Sequence, residues 1–225
     1  IMAKETKKTE QTEQNLAEVQ EALSASGQWI EKNSNTIMWV LVAIVAVVCG
    51  FIALNKFVWE PKGLEASNEN AKSVVYFSAG DYQKALNGDD AECVGFAETA
   101  DNYSHYQAGK LAALYAGICH YQLGQYEEAA DYLKQFDADD VNIAPAAKML
   151  LGDAYVELGE YSKAIKAFEA AANSDNELIA PMALKKAGVV YLKQEDTKAA
   201  NKAFKAIKED YPQSAEAQDI DKYIK

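Results

Sequence analysis

LGQYEEAADYLKQF at residues 123–136 can be laid on LGEYSKAIKAFEAA at 158–171, and a weaker copy, KQEDTKAANKAFKAI, fills 193–207. The aligned markers give a period. Gly117, Gly152 and Gly188 are spaced by 35 and 36 residues, as are Ala129, Ala164 and Ala200, and Tyr126 and Tyr161 are 35 apart. Each copy reads as two helices. The first carries a glycine where its partner crosses closely. A tight turn follows, with Gly124 and Gly159 suited to ending a helix. The second helix then presents Ala164 and Phe168, or Ala200 and Phe204, at i and i+4 to one seam.

A period of about 34 residues built from helix pairs is the mark of tetratricopeptide repeats. One pair cannot bury its apolar stripe alone, so units must stack into a solenoid. The fold class expected is therefore all-α, with three to four helix pairs and a capping helix. Working outward, AKSVVYFSAGDYQKAL at 71–86 keeps the turn and the seam residue Ala85. Ala85 lies 44 residues before Ala129. The excess holds the loop signal NGDD (87–90) and a short helix around 96–103, which predicts a distorted first unit. The units expected are 71–104, 110–144, 145–180 and 181–213, with a polar-faced cap at 214–225.

Upstream lies IMWVLVAIVAVVCGFIAL (37–54), 18 residues without a charge. As a helix it spans about 27 Å, close to the hydrocarbon thickness of a bilayer. Trp39 and Trp59 sit near its ends, where amphipathic rings favour the interface, and Lys56 can snorkel outward. A transmembrane helix over 37–59 is expected. A cleaved signal needs a short basic start, but residues 1–36 carry six Glu against four Lys. Val48 before Cys49 does not fit a lipoprotein signal. Within 1–36, Leu16, Val19, Leu23 and Ile30 lie at helical spacing and predict a short amphipathic helix over 15–26. Residues 60–73 read as a polar linker, kinked at Pro61 and Gly63 and then helical. Ala43, Ala46, Gly50 and Ala53 form a small-residue stripe along the membrane helix that suits close helix packing in lipid.

Composition narrows the function. All 22 basic residues are Lys, and the net charge is −12. From residue 60 onward, 17 Lys face 28 Asp and Glu, a balance that repels phosphate backbones and argues against nucleic-acid binding. Cys93 and Cys119 are too few for a disulfide framework; two buried apolar side chains, or a pair formed in an oxidising compartment, both fit. Cys119 and His120 are adjacent, so on a helix they diverge by about 100° and make a poor nucleophile–base pair. His120 falls where these repeats place a core aromatic. Cys93, His105, Cys119 and His120 lack metal-ligand spacing. Asp137, Asp139 and Asp140 lack the glycine and closing glutamate of a calcium loop and read as a solvated helix-ending loop. No enzyme, metal or cofactor is expected.

Binding is the activity that the residues support. First helices line the concave face of such stacks. On this register the lining positions are Leu114, Ile118, Tyr121, Met149, Asp153, Val156, Lys185, Val189 and Leu192. Most are apolar, which suits an extended chain or an amphipathic helix. The irregular first unit or the cap covering this strip is the alternative. Few Lys lie on it, so a clamp for an acidic C-terminal peptide is not expected.

GFAETADNYSHYQAGKLAALYAGICHYQLGQYEEAADYL (95–133), the IEKNSN preceding the apolar run and the DYPQSAEAQDIDKYI ending carry a likeness to a known family. The chain resembles the single-pass inner-membrane tetratricopeptide-repeat family typified by YfgM, an ancillary SecYEG translocon subunit, in a Bacteroidota-type variant. The resemblance implies a cytoplasmic tail, periplasmic repeats, and partners among the Sec translocon and periplasmic chaperones or clients. Charge does not set the orientation: Lys4, Lys7, Lys8 and Lys32 precede the span, and Lys56, Lys62 and Lys72 follow it. The rival function is a structural adaptor of a cell-envelope assembly complex.

Overall fold

The computed structural model describes residues 29, 32–89, 92–138 and 140–224. The amphipathic helix expected at 15–26 lies outside the described residues. A boundary between Val58 and Trp59 separates two units.

In the first unit, α1 (Ser34–Leu54) is helical throughout. Its 21 residues extend about 32 Å, and its most apolar window has a mean hydropathy of 3.0. By length and composition it can cross a membrane. Its described residues lie on the surface, with no protein packed against Gly50. A π-helical turn, Asn55–Trp59, follows.

The second unit begins with α2 (Glu60–Ser78). The linker expected at 60–73 is helical from its start. Pro61 sits in its first turn, directly after the π-helical turn. Then come α3 (Tyr82–Asn87), α4 (Gly95–Asn102), α5 (Gln107–Gln122), α6 (Tyr126–Gln135), α7 (Ile143–Glu157), α8 (Tyr161–Ala172), α9 (Ile179–Lys193) and α10 (Thr197–Asp210). The pairs α5/α6, α7/α8 and α9/α10 stack in sequence order, α6 against α7 and α8 against α9. All described secondary structure is helical, and the stacked pairs expected from the sequence period are present.

One turn recurs four times. The N–H of Asp81, Gln125, Glu160 and Asp196 donates to the carbonyl of Tyr76, His120, Tyr155 and Tyr191 respectively, at 2.9–3.0 Å. This six-residue closure needs a left-handed residue. Gly124 (φ +74°) and Gly159 (φ +73°) supply it in the middle pairs, and Glu195 takes it at φ +61° in the last.

The seam explains the period. Ala129, Ala164 and Ala200 are fully buried, as are Phe168 and Phe204. A Cβ on Gly152 would stand 2.5 Å from Phe168 Cδ1, one on Gly188 2.7 Å from Phe204 Cζ, and one on Gly117 2.7 Å from Leu133 Cγ. A phenylalanine ring, or Leu133 against Gly117, thus lies on the backbone of the partner helix, and only glycine leaves the room.

The first pair departs from this pattern. Ser73 stands where the others have glycine, and its Oγ lies 3.2 Å from Cys93 Sγ in the insertion. Asp89 ties the insertion down: Oδ2 accepts from Tyr76 Oη at 2.6 Å, and Oδ1 accepts from the N–H groups of Glu92 and Cys93. Phe77 meets Tyr82, Phe96 and Tyr115 edge-on, with Phe96 stacked on Tyr115 at 4.8 Å. Aromatic packing therefore fills the space that a full second helix occupies elsewhere. The cap differs from the expected α-helix. It forms two 3-10 turns, Glu216–Gln218 and Ile220–Lys222. Its inner side is apolar: Ile220 is fully buried and packs in one cluster with Phe204 and Ile207. Tight turns bring Ile220 inward within a segment too short to carry a full amphipathic face.

Candidate functional site

The first helices α5, α7 and α9 carry the nine expected lining residues, and the structure sorts them into three groups. Leu114 is a correction. It is 7% exposed and packs with Leu133 and Ala147 in the core. Leu133 stands where the other units have phenylalanine. The apolar residues Ile118, Tyr121, Met149, Val156 and Leu192 are half-buried, and Val189 is 45% exposed. The two charged residues are held within the protein. Asp153 takes both contacts from Lys186 Nζ, at 2.7 and 2.9 Å. Lys185 donates to Asp219 in the cap at 3.0 Å and lies over the Tyr223 ring.

The cap thus reaches the last part of the strip. Leu192 packs against the cluster that holds Ile220. Lys185 and Lys222 both donate to Asp219 and hold its carboxyl below its ordinary range. Further along the strip, Tyr121 meets Tyr126 edge-on at 5.4 Å. Burial, helped by the charge of Asp153, raises the Tyr121 phenol, so it stays a neutral hydrogen-bond donor.

The residues weighed for chemistry sit elsewhere. Cys119 is fully buried, and burial pushes its thiol up to about 12. His120 is half-buried, stacks on Tyr132 at 5.2 Å and pairs through Nδ1 with Gln125 Oε1 at 2.7 Å. That is the aromatic role these repeats give the position. Cys93 and Cys119 are separate free thiols, and His105 is exposed. Among the described residues no three His, Cys, Asp or Glu side chains gather to hold a metal ion.

A second feature has no counterpart in the expected strip. A cleft of about 600 Å³ opens where α2, the start of α5 and the loop residues 136–138 and 140–143 meet. Its floor is Leu111, Phe136 and Ile143, and Asp137 and Asp140 line it as well. Asp140, read from sequence as part of a solvated loop, caps α7 instead: it accepts from the N–H groups of Asn142, Ile143 and Ala144. Those bonds hold its carboxyl below the ordinary range. Asn176 repeats the device for α9, accepting from Leu178 and Ile179. The recurring Asp/Asn 36 residues apart was a signal available in the sequence.

Residues 120–177 and 149–215 match the tetratricopeptide repeat family model. No curated protein matches the chain. Among solved structures, MamA from Desulfovibrio magneticus RS-1, from residue 41 to its end, is 23% identical with a TM-score of 0.50; the match covers 66% of this chain and 77% of that one. The ArsTM double mutant of RS-1 MamA is 21% identical with the same TM-score, covering 70% and 75%. YrrB, a tetratricopeptide-repeat protein with an unusual peptide-binding site, is 17% identical with a TM-score of 0.32, covering 76% and 98%. The MamA likeness is one of fold. The repeats are therefore a tetratricopeptide-repeat solenoid, the fold of a protein-binding scaffold.

Proposed function

We propose that this chain is a single-pass membrane-anchored scaffold whose repeats hold partner or client polypeptides at the periplasmic side of the Sec translocon. Its work is recognition, not catalysis. The supporting observation is on α5, α7 and α9, where Ile118, Tyr121, Met149 and Val156 are half-buried and Val189 is exposed. A soluble domain that leaves such side chains along one face retains an apolar surface for a partner. The anchor is α1, and its Ala43, Ala46, Gly50 and Ala53 face offers close helix contact in lipid. Tethering raises the local concentration of a weak site for anything crossing nearby. The translocon and the orientation come from the family resemblance.

A photo-cross-linking side chain at Val189 or Met149, followed by purification in mild detergent, tests the assignment. Cross-links to SecYEG subunits or to emerging chains support it. Cross-links to envelope-assembly subunits replace it with the adaptor function. Extraction from membranes by alkaline carbonate refutes the anchor, and a C-terminal reporter active only in the cytoplasm refutes the translocon-exit position.

A further inference from the structure

The second helices α6 and α8 pack against the first helix of the next unit. For α10 the described residues supply no such neighbour, and residues 216–224 of the cap lie against it instead. The cap is seated by its side chains. Ile220 is fully buried in one cluster with Phe204 and Ile207, which Leu184 and Leu192 border. Lys185 of α9 donates to Asp219 at 3.0 Å, and Lys208 of α10 donates to both oxygens of Asp221 at 2.7 and 2.9 Å. The Tyr223 ring lies 5.6 Å from that of Phe204, beneath the Lys185 ammonium.

This attachment is separable from the helices. The two 3-10 turns close on themselves, Gln218 N–H to Ala215 O at 3.3 Å, Lys222 N–H to Asp219 O at 3.4 Å and Tyr223 N–H to Ile220 O at 2.9 Å. The first two are long for such bonds. Among the described residues, the hydrogen bonds that join 216–224 to α9 and α10 are those of the Asp219 and Asp221 carboxylates. Both ion pairs are partly exposed, the Asp221 side chain by 69%, so water and salt screen them. The segment can therefore lift as a unit without breaking a helix, and what it uncovers is an apolar floor between two lysines.

We propose that residues 216–224 are a resident ligand, and that the surface of α9 and α10 beneath them takes partner segments of the same pattern: an aliphatic residue between two carboxylates, with an aromatic residue three positions after it. The aliphatic side chain replaces Ile220 on Phe204 and Ile207, the carboxylates meet Lys185 and Lys208, and the aromatic ring takes the place of Tyr223. Side-chain carboxylates carry the recognition, so the segment need not end a chain. A segment with cations in those places meets two ammonium groups and is repelled. The tethered cap competes at an effective concentration of about millimolar, and a partner's apparent affinity is scaled down to the fraction of chains whose cap is lifted. The site rests on the protein-binding function and extends it from the strip to the end of the stack, where Lys185 and Leu192 belong to both.

The probe is an amidated peptide, fluorescein-GSGDLEKFGSG, read by anisotropy against the full chain in neutral detergent. It shares the cap's pattern but not its sequence, and its counterpart, GSGKLKEFGSG, exchanges the charges. Ile220→Asp removes the cap's apolar anchor and should tighten binding of the acidic probe roughly ten- to hundred-fold over the unaltered chain, from the burial that the competing cap loses. Asp219→Asn with Asp221→Asn removes the exposed ion pairs and should tighten it roughly two- to thirty-fold. Adding Lys185→Glu and Lys208→Glu to Ile220→Asp should exchange the preference, so that the counterpart binds and the acidic probe does not. Equal affinity in the unaltered chain and the loosened variants overturns the proposal, as does indifference of those variants to probe charge or failure of the acidic probe to bind any of them. Where Ile220→Asp loses helicity at 222 nm, the Asp219→Asn, Asp221→Asn variant decides alone. None of these outcomes bears on the translocon assignment, which cross-links from Val189 judge separately.

Discussion

Replacing Gly152 by alanine sets two opposed effects against each other in the middle of α7. In a helix interior the change gains about 0.8–1.0 kcal/mol of propensity. The new Cβ, however, would stand 2.5 Å from Phe168 Cδ1 and 2.9 Å from Cζ, where carbon atoms prefer about 3.5–4.0 Å. The ring must retreat by about 1 Å to reach that separation. It has nowhere open to go: Phe168 is buried in a cluster with Tyr155, Ala187 and Val190. Overpacking of this kind costs about 1–3 kcal/mol, and the rigid ring places it at the upper end. The net expected is a loss of about 1–2 kcal/mol, or a melting temperature lower by about 2–8 °C for a domain of this size. Thermal unfolding of the full chain in detergent, followed by circular dichroism at 222 nm, measures it. Gly63→Ala is the control. Its Cβ meets only Tyr106 Cδ1, at 3.8 Å, so the propensity gain stands alone and the melting temperature should rise. Removing the ring with Phe168→Ala should abolish the penalty of Gly152→Ala, a coupling of about 1–3 kcal/mol. If Gly152→Ala stabilises as Gly63→Ala does, the close approach of ring to backbone is wrong, and with it the explanation of the period.

Glu195→Gly should stabilise by about 0.5–1 kcal/mol, since the left-handed conformation costs a non-glycine residue about 1–2 kcal/mol and glycine gives back part of that as unfolded-state entropy; urea unfolding checks it, and an unchanged midpoint counts against the turn geometry. Cys119 should resist iodoacetamide in the native chain at pH 8 and react once urea unfolds it. Its folded thiol is raised above the ordinary value of 9.0 to about 12, so the stability it contributes is complete below pH 9 and is lost as pH climbs toward 12. Asp140 has the opposite sign. Its depressed carboxyl contributes stability above the ordinary carboxylate range and loses it as pH falls through the folded value. Asp140→Ala should speed amide exchange at Asn142, Ile143 and Ala144, and Asp140→Asn should preserve most of the protection.

The regular part of the fold was legible because its markers have steric causes. Gly152 and Gly188 recur since a phenylalanine ring lies on each, and Ala164 and Ala200 recur since nothing larger fits at the crossing. Turn chemistry was legible where glycine marks it, at Gly124 and Gly159, and not at Glu195, where a non-glycine residue accepts the same left-handed backbone. The first unit was legible only as an irregularity. Its 44-residue spacing announces inserted chain, but no local pattern says that Asp89 will bond Tyr76 or that Ser73 will lie against Cys93. Those contacts join residues whose own neighbours carry no periodic signal.

The site divides along the same line. A strip on α5, α7 and α9 follows from register alone, because positions along stacked first helices repeat with the units. Register cannot say which of those positions the fold consumes. Leu114 is lost to the core beside Leu133 and Ala147, and Lys185 is lost to the cap through Asp219, 34 residues later. The edge cleft was beyond sequence reasoning for the complementary reason. It lies beside the irregular first unit, where Asn70 of α2 bonds Ala108 of α5, a contact that joins residues 38 positions apart. Irregularity in a repeat array therefore removes predictable surface in one place and creates unpredictable surface in another.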